Sequence, residues 1–144
     1  MTTTTTTVEQ RGTALEAARP AVRTTLAGLW TTVLFAFAYV DLFSFYRPDF
    51  RAEVERGEVA GFTVDGFFLL WTTSYVLLAA LLIAGSLLLP ARVARLANLV
   101  LAPLYATSIG VAATGEMGYF VLGSMVEVLL LAAIVRVAWT WPRG

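Results

Sequence analysis

The sequence of 144 residues contains no cysteine and no histidine. Without a thiol, disulfide exchange and covalent thiol catalysis are excluded. Without an imidazole, the chain cannot supply ordinary haem, zinc or histidine acid–base chemistry. Four-helix membrane redox proteins that depend on a CxxC pair or on haem histidines are therefore excluded. A phosphate-binding loop is also missing, so we expect a protein that is not an enzyme and that carries no cofactor and no metal ion.

Charge is scarce and balanced. Lysine is absent, ten arginines face ten acidic residues, and charged residues make up 14% of the chain, against about 25% in ordinary soluble domains. The sequence contains no basic patch of the kind that would indicate a nucleic-acid partner. The apolar share is 58%, which is more than a soluble chain of this length can bury. The composition therefore predicts one domain whose partner is the lipid bilayer.

Four apolar runs are long enough to cross a bilayer, which takes roughly 20 residues in a helix. We predict spans at about residues 26–46, 67–89, 96–113 and 119–141. The first span contains a single charge, Asp41, and Pro90 ends the second. Pro103 is predicted to interrupt the third. The pattern favours an all-α fold, an integral membrane antiparallel four-helix bundle covering residues 26–144.

The polar segments outside the spans carry two further predictions. Residues 1–25 include six consecutive threonines and are predicted to be a disordered tail. A cleaved signal peptide ending at residues 36–38 is an alternative, but the apolar run continues beyond that point, so we favour an uncleaved span. Within the loop of residues 47–66 we expect a short surface helix that Asp49 caps and Gly57 ends. Asp65 then precedes the second span.

The arginines predict the orientation in the membrane. Seven arginines lie in or near the segments that share a side with the two termini, and three lie in the loop of residues 47–66, which also holds five acids. The positive-inside rule therefore favours cytoplasmic N- and C-termini.

Small residues recur at a spacing of four along the spans, which is typical of helix contacts in lipid. We interpret these stripes as packing seams of one bundle. A homo-oligomer seam, or a contact with another membrane protein, is the alternative. The stripes include Gly28, Thr32 and Ala36; Ala80 and Ala84; Ala102, Ala106, Gly110 and Thr114; and Gly123 with Glu127.

Asp41 and Glu127 are the two carboxylic acids inside the spans. With a rise of 1.5 Å per residue, Asp41 lies about 7 Å and Glu127 about 12 Å from the outer end of its span. They can meet in the bundle interior if the first and fourth helices are neighbours. Arg136 cannot pair with Glu127, because nine residues place the two on opposite faces of one helix. Glu127 must therefore find a partner on another helix or be protonated.

Hydroxyl groups near the two acids predict an outward-facing polar pocket that binds or moves a small solute or a proton. Its candidate residues are Asp41, Glu127, Tyr75, Tyr105 and Ser124. The alternative is a structural hydrogen bond from a protonated Glu127. A second function hypothesis is an accessory subunit that packs against another membrane protein. A third, a membrane enzyme or a binder of a quinone-like ligand, has no motif in its favour. Trp30, Trp71, Tyr39 and Tyr75 are interpreted as belt and packing residues.

Several sequence features occur together in one known family. They are LWTTV at residues 29–33, YVDLF at 39–43, Glu127 at its distance from the end, and the closing AWTWPR at 138–143. In these the chain resembles a bacterial family of small four-span membrane proteins, domain-of-unknown-function family 6326. The resemblance implies a multi-pass protein of the bacterial inner membrane and brings no activity. It reaches Trp30, Asp41, Glu127, Trp139 and Trp141. The family pattern often has glycine before the aspartate, where this chain has Val40.

Overall fold

The computed structural model describes residues 21–141. The helices and strands, in chain order, are α1 Val22–Ser44, α2 Pro48–Glu55, β1 Glu58–Val59, β2 Phe62–Thr63, α3 Gly66–Leu88, α4 Ala91–Ala112 and α5 Gly118–Trp139. The predicted polar tail falls outside the described residues up to position 20. Its last residues, from Val22 on, form the first turn of α1, so the helix begins earlier than predicted.

Four of the described helices, α1, α3, α4 and α5, are long and apolar enough to cross a membrane. They pack together as the predicted antiparallel bundle, which confirms the fold class. Helix α1 packs against α3 and α5, and α4 packs mainly against α5, while the contact between α3 and α4 is thinner. We call the end that carries α2 and the two strands the loop end, and the opposite end, where α1 begins and α5 finishes, the terminal end.

Two prolines belong to α4, one directly before its first residue and one in its interior. The turn between α3 and α4 is shorter than expected, because Pro90 is already the N-cap of a helix that begins at Ala91. Pro103 lies inside α4 and does not interrupt it. A proline removes one backbone hydrogen bond, but membrane helices tolerate this when neighbouring side chains take up the freed groups.

Arginine side chains close two helix ends at the terminal end. Arg23 of α1 donates to the carbonyls of Leu87 at 2.9 Å and Leu89 at 2.8 Å, where α3 finishes. Arg95 of α4 donates to the carbonyl of Ala138 at 3.0 Å, near the end of α5. The last carbonyls of a helix have no partner within it and carry partial negative charge, so a guanidinium stabilises them.

The predicted surface helix is present as α2, but it starts differently. Arg47 is the N-cap and Pro48 takes the first helical position, where its missing N–H costs nothing. Asp49 makes no cap; its carboxylate pairs with the guanidinium of Arg47 at 2.5 Å. This hydrogen-bonded arginine lowers the pKa of Asp49 below its usual value. Asp65 lies at the start of α3, as the sequence indicated, and it is also the N-cap, since its Oδ1 accepts from the backbone N–H of Phe68 at 2.8 Å.

The hairpin formed by β1 and β2 was not predicted. Its strands have two residues each, with Val59 opposite Phe62. The connecting residues Ala60 and Gly61 have φ of 50° and 78°, the paired positive values that a tight hairpin turn requires. Strands this short leave no alternating pattern in the sequence, and alanine is an unusual first turn residue. The hairpin places Phe62 against the loop end of the bundle.

Large side chains, and not the small-residue stripes, fill most of the bundle interior. Leu26, Trp30, Val33, Leu131 and Ile134 are completely buried. The seam prediction is wrong for Gly28 and Gly110, since both are exposed and a Cβ on either would meet no described atom within 4 Å. It holds for Ala102, which is fully buried, and for Gly123.

Candidate functional site

A cavity of about 430 Å³ lies at the loop end, between all four long helices and beneath the hairpin. Its size falls within the range of roughly 300–1,000 Å³ that is typical of small-molecule sites. The polar groups in its lining come from every long helix, and they are Asp41, Thr72, Tyr75, Ser108, Ser124 and Glu127. Four of the five candidate residues predicted from the sequence therefore share one cavity. Tyr105 does not line it.

Glu127 is the deepest acid of the cavity. It is 3% exposed, and it lies nine residues after the first residue of α5, about 14 Å along the helix. Its Oε1 is buried and receives no hydrogen bond from any residue between positions 21 and 141. Ser124, one turn earlier on the same face, is also buried. The partner that the sequence argument required for Glu127 is therefore not supplied by a neighbouring helix within this part of the chain.

Asp41 occupies the other extreme of the cavity. It is exposed and lies three residues before the end of α1, about 5 Å along the helix. The observed helix ends thus make Asp41 shallower and Glu127 deeper than the sequence suggested. The cavity has one acid near its mouth and one in its interior.

Three contacts hold α1 and α5 together beside the cavity. A Cβ on Gly123 would overlap Cγ2 of Val40, so the glycine is what lets the valine side chain pack against the α5 backbone. The hydroxyls of Ser44 and Tyr119 lie 2.9 Å apart. Beyond the helix ends, Arg47 donates to Glu116 at 2.7 Å.

The position before the aspartate, where the family pattern often has glycine, carries a larger side chain in this protein. Val40 takes the position before Asp41, and Gly123 provides the space that its side chain needs.

Tyr75 forms the floor of the cavity, and Tyr105 lies beneath it. The Tyr75 hydroxyl lies 2.6 Å from the Ser108 hydroxyl and bridges α3 and α4, where the helices otherwise have few contacts. Tyr105 lies one layer deeper, 3% exposed, with its ring centroid 4.4 Å from that of Tyr75. Its hydroxyl donates to the backbone carbonyl of Tyr75. Tyr105 therefore supports the cavity and does not face it.

A buried polar cluster below the tyrosines was missed in the sequence. Trp30 donates its indole N–H to Oδ1 of Asn98 at 2.7 Å, and the Asn98 amide donates to the Ser86 hydroxyl at 3.2 Å. Asn98 is fully buried, and it is the sole asparagine of the sequence. Since membrane helices use polar side chains to bond their neighbours, that lone asparagine in an apolar run was the available signal.

The aromatic residues divide between the core and the surface. Trp30 is a packing residue, with an edge-on contact to Tyr105 at 5.4 Å between centroids. Tyr39 is 55% and Trp71 is 67% exposed. Trp71 also forms part of the cavity wall, a role that the interpretation as belt and packing did not include.

Comparison with known proteins gives one match. A family model with the description "Family of unknown function (DUF6326)" matches residues 18–144. No curated protein matches the chain, and no solved structure matches it.

Proposed function

Because the chain belongs to the family of unknown function DUF6326, which supplies no activity, we propose a function from the cavity itself. The protein is a multi-pass membrane protein that takes up a small solute or a proton in the cavity at its loop end. It acts by binding and movement and not by covalent catalysis. Glu127 is the group on which binding depends, and Asp41 is the acid met first.

The buried Oε1 of Glu127 is the observation that carries this proposal. Leaving a buried acceptor without a donor costs about 1–3 kcal/mol. A charged carboxylate near the centre of a membrane helix costs about 2.5–3.5 kcal/mol on insertion scales. An apolar residue that served only to pack α5 would avoid both costs. A proton or a donating ligand at the Glu127 carboxyl group offsets them, and Glu127 is one of the residues that line the cavity.

Closure of the bundle below the cavity supports binding from one side. Tyr105, Trp30 and Asn98 fill the interior between the cavity floor and the terminal end, and each is at most 3% exposed. At the mouth, the residues between positions 21 and 141 form no comparable buried layer, since Phe62 of the hairpin, Asp41 and Thr72 are all exposed. This arrangement favours uptake from the loop end.

The orientation follows from the charges. We place the terminal end in the cytoplasm of a bacterial cell and the loop end on the outer side of the inner membrane. Arg23 and Arg95 belong to the terminal end by their contacts, and the positive-inside rule places such arginines in the cytoplasm.

The absence of cysteine from the sequence makes accessibility the direct test. Single cysteines are introduced as Ser124→Cys in the cavity, Leu122→Cys on the outer face of the same helix, and Glu58→Cys in the hairpin. A membrane-impermeant thiol reagent is added outside intact cells. We expect Ser124→Cys and Glu58→Cys to react. Leu122→Cys should not, because Leu122 is 64% exposed on the side that faces lipid and not the cavity.

Two results would contradict parts of the proposal. If Glu58→Cys reacts but Ser124→Cys does not, the cavity is closed to water from the loop end and cannot take up a solute there. If Glu58→Cys reacts only after the cells are opened, the orientation is reversed.

A second candidate function is an accessory subunit that packs against another membrane protein. It is favoured by the outward position of Gly28 and Gly110, which leave open space for close approach of another helix. Replacing Gly110 by leucine should then abolish co-purification of the partner. Purification of the bare protein from gently solubilised membranes would contradict this function.

A further inference from the structure

We propose that the cavity binds a small organic cation, a protonated amine with an apolar or aromatic body. The inference rests on the proposed function, because it names the class of solute for the same site. It combines the charge of the lining, the chemistry of the walls and the unpaired oxygen of Glu127.

Both acids of the lining carry the same sign when charged, and no cationic side chain from residues 21–141 lines the cavity with them. Asp41 and Glu127 line the cavity, while none of the arginines in the described part of the chain does. Arg47, at the same end of the bundle, is engaged by Asp49 and Glu116. An anionic solute would meet two carboxyl groups without a compensating charge. The electrostatics therefore select against anions and for cations.

Aromatic rings make up much of the remaining wall. They come from three helices and the hairpin, and they are Phe37, Phe62, Trp71, Tyr75 and Phe120. The face of an aromatic ring attracts an ammonium group and also packs against an apolar body. Such walls suit an organic cation better than a hydrated inorganic one. Calcium takes six to eight oxygen ligands, and no group of three acidic or other metal-ligating side chains occurs within residues 21–141.

The carboxyl group of Glu127, a residue that lines the cavity, decides where the ammonium lies. Oε1 of Glu127 is buried and without a donor from the described residues, and the N–H of a protonated amine is both a donor and a positive charge. The amine therefore lies at Glu127, deep in the cavity, and its apolar body points along the aromatic walls toward the mouth. Asp41 near the mouth attracts the cation as it approaches.

The test compares three probes of one size and different charge. Benzylammonium, benzyl alcohol and benzoate are titrated by calorimetry at pH 7 into the full-length protein in lipid nanodiscs, with empty nanodiscs subtracted. We expect benzylammonium to bind at least about tenfold more tightly than benzyl alcohol, and benzoate to show no saturable binding. In Glu127→Gln the affinity for benzylammonium should fall about tenfold, while that for benzyl alcohol stays unchanged. Glu53→Gln, on the surface helix, is the matched control and should bind like wild type.

Equal affinity of wild type for benzylammonium and benzyl alcohol overturns the inference, as does unchanged benzylammonium affinity in Glu127→Gln. If that variant does not fold, the binding of the three probes to wild type decides the question. Trp71→Leu, which removes an aromatic ring from the cavity wall, should then lower the affinity for benzylammonium more than the affinity for benzyl alcohol. If benzyl alcohol shows saturable binding and benzylammonium shows none, the proposed class of solute is wrong, while the proposed function is retained. Absence of binding by all three probes also overturns the class, and the reactivity of Ser124→Cys then decides the function separately.

Discussion

Alanine in place of Gly123 should destabilise the bundle, because the added methyl group would occupy the space of Val40. A Cβ at that position overlaps Cγ2 of Val40 and lies 3.6 Å from its Cβ and Cγ1. Valine is stiff in a helix, with one strongly preferred rotamer, so it cannot turn away at low cost. Overpacking of this kind costs about 1–3 kcal/mol, against a gain of about 0.4–1 kcal/mol from the stiffer unfolded chain. From the middle of each range, we expect a net loss of about 1 kcal/mol in the free energy of unfolding.

The clash can be assigned to its partner by a second substitution. Val40→Ala removes Cγ2 and Cγ1, the atoms that a methyl group at position 123 would meet. The double variant should therefore be destabilised less than the sum of the two single variants, with a coupling energy of about 1 kcal/mol or more. The assay is unfolding by SDS in mixed micelles, followed by tryptophan fluorescence and circular dichroism.

Gly110→Ala is the matched control. It lies on a long helix and its Cβ would meet no described atom within 4 Å, so alanine should be neutral or stabilising by up to about 1 kcal/mol. If Gly123→Ala is as stable as wild type, or if its effect is additive with Val40→Ala, then α1 and α5 do not approach as described. The helix arrangement that places Asp41 and Glu127 in one cavity would then be contradicted.

Three further predictions concern other parts of the molecule. Asn98→Leu should lower the free energy of unfolding by about 1–2 kcal/mol, because it leaves the Trp30 indole N–H without its acceptor; an unchanged SDS unfolding curve would contradict this. Glu127→Gln should reduce pH-driven proton uptake of proteoliposomes to the level of protein-free liposomes, and equal uptake by wild type and variant would exclude this residue as a proton carrier. Arg47 lowers the pKa of Asp49, so their pairing stabilises the loop above the unfolded value of about 3.9 and is lost as the pH falls through the lower folded pKa. Carboxyl NMR should show the Asp49 midpoint returning to its ordinary range in Arg47→Gln, and a midpoint that does not move would rule out the pairing.

The sequence by itself determined that lipid surrounds the long helices and how many helices can cross a bilayer. Length and polarity of an apolar run decide whether it can cross a bilayer, and neither depends on neighbouring helices. The same is true of local signals such as Pro90, which ends α3, and Asp65, which caps it. The resemblance to family 6326 is confirmed by the match over residues 18–144. The sequence also lacks cysteine and histidine, so it offers no thiol or imidazole group for catalysis or metal binding.

Only the tertiary structure decided which face of each span is buried. In lipid both faces of a helix are apolar, so periodicity does not distinguish the core from the lipid side. The small-residue stripes accordingly misplaced Gly28 and Gly110 on the seam. Tyr105 was assigned to the pocket although it lies beneath it. Whether Glu127 has a partner is also a question of contacts between helices. The sequence could place two acids in the outer half of a bundle, but only the contact between α1 and α5, which includes Val40 against Gly123, brings them to one cavity.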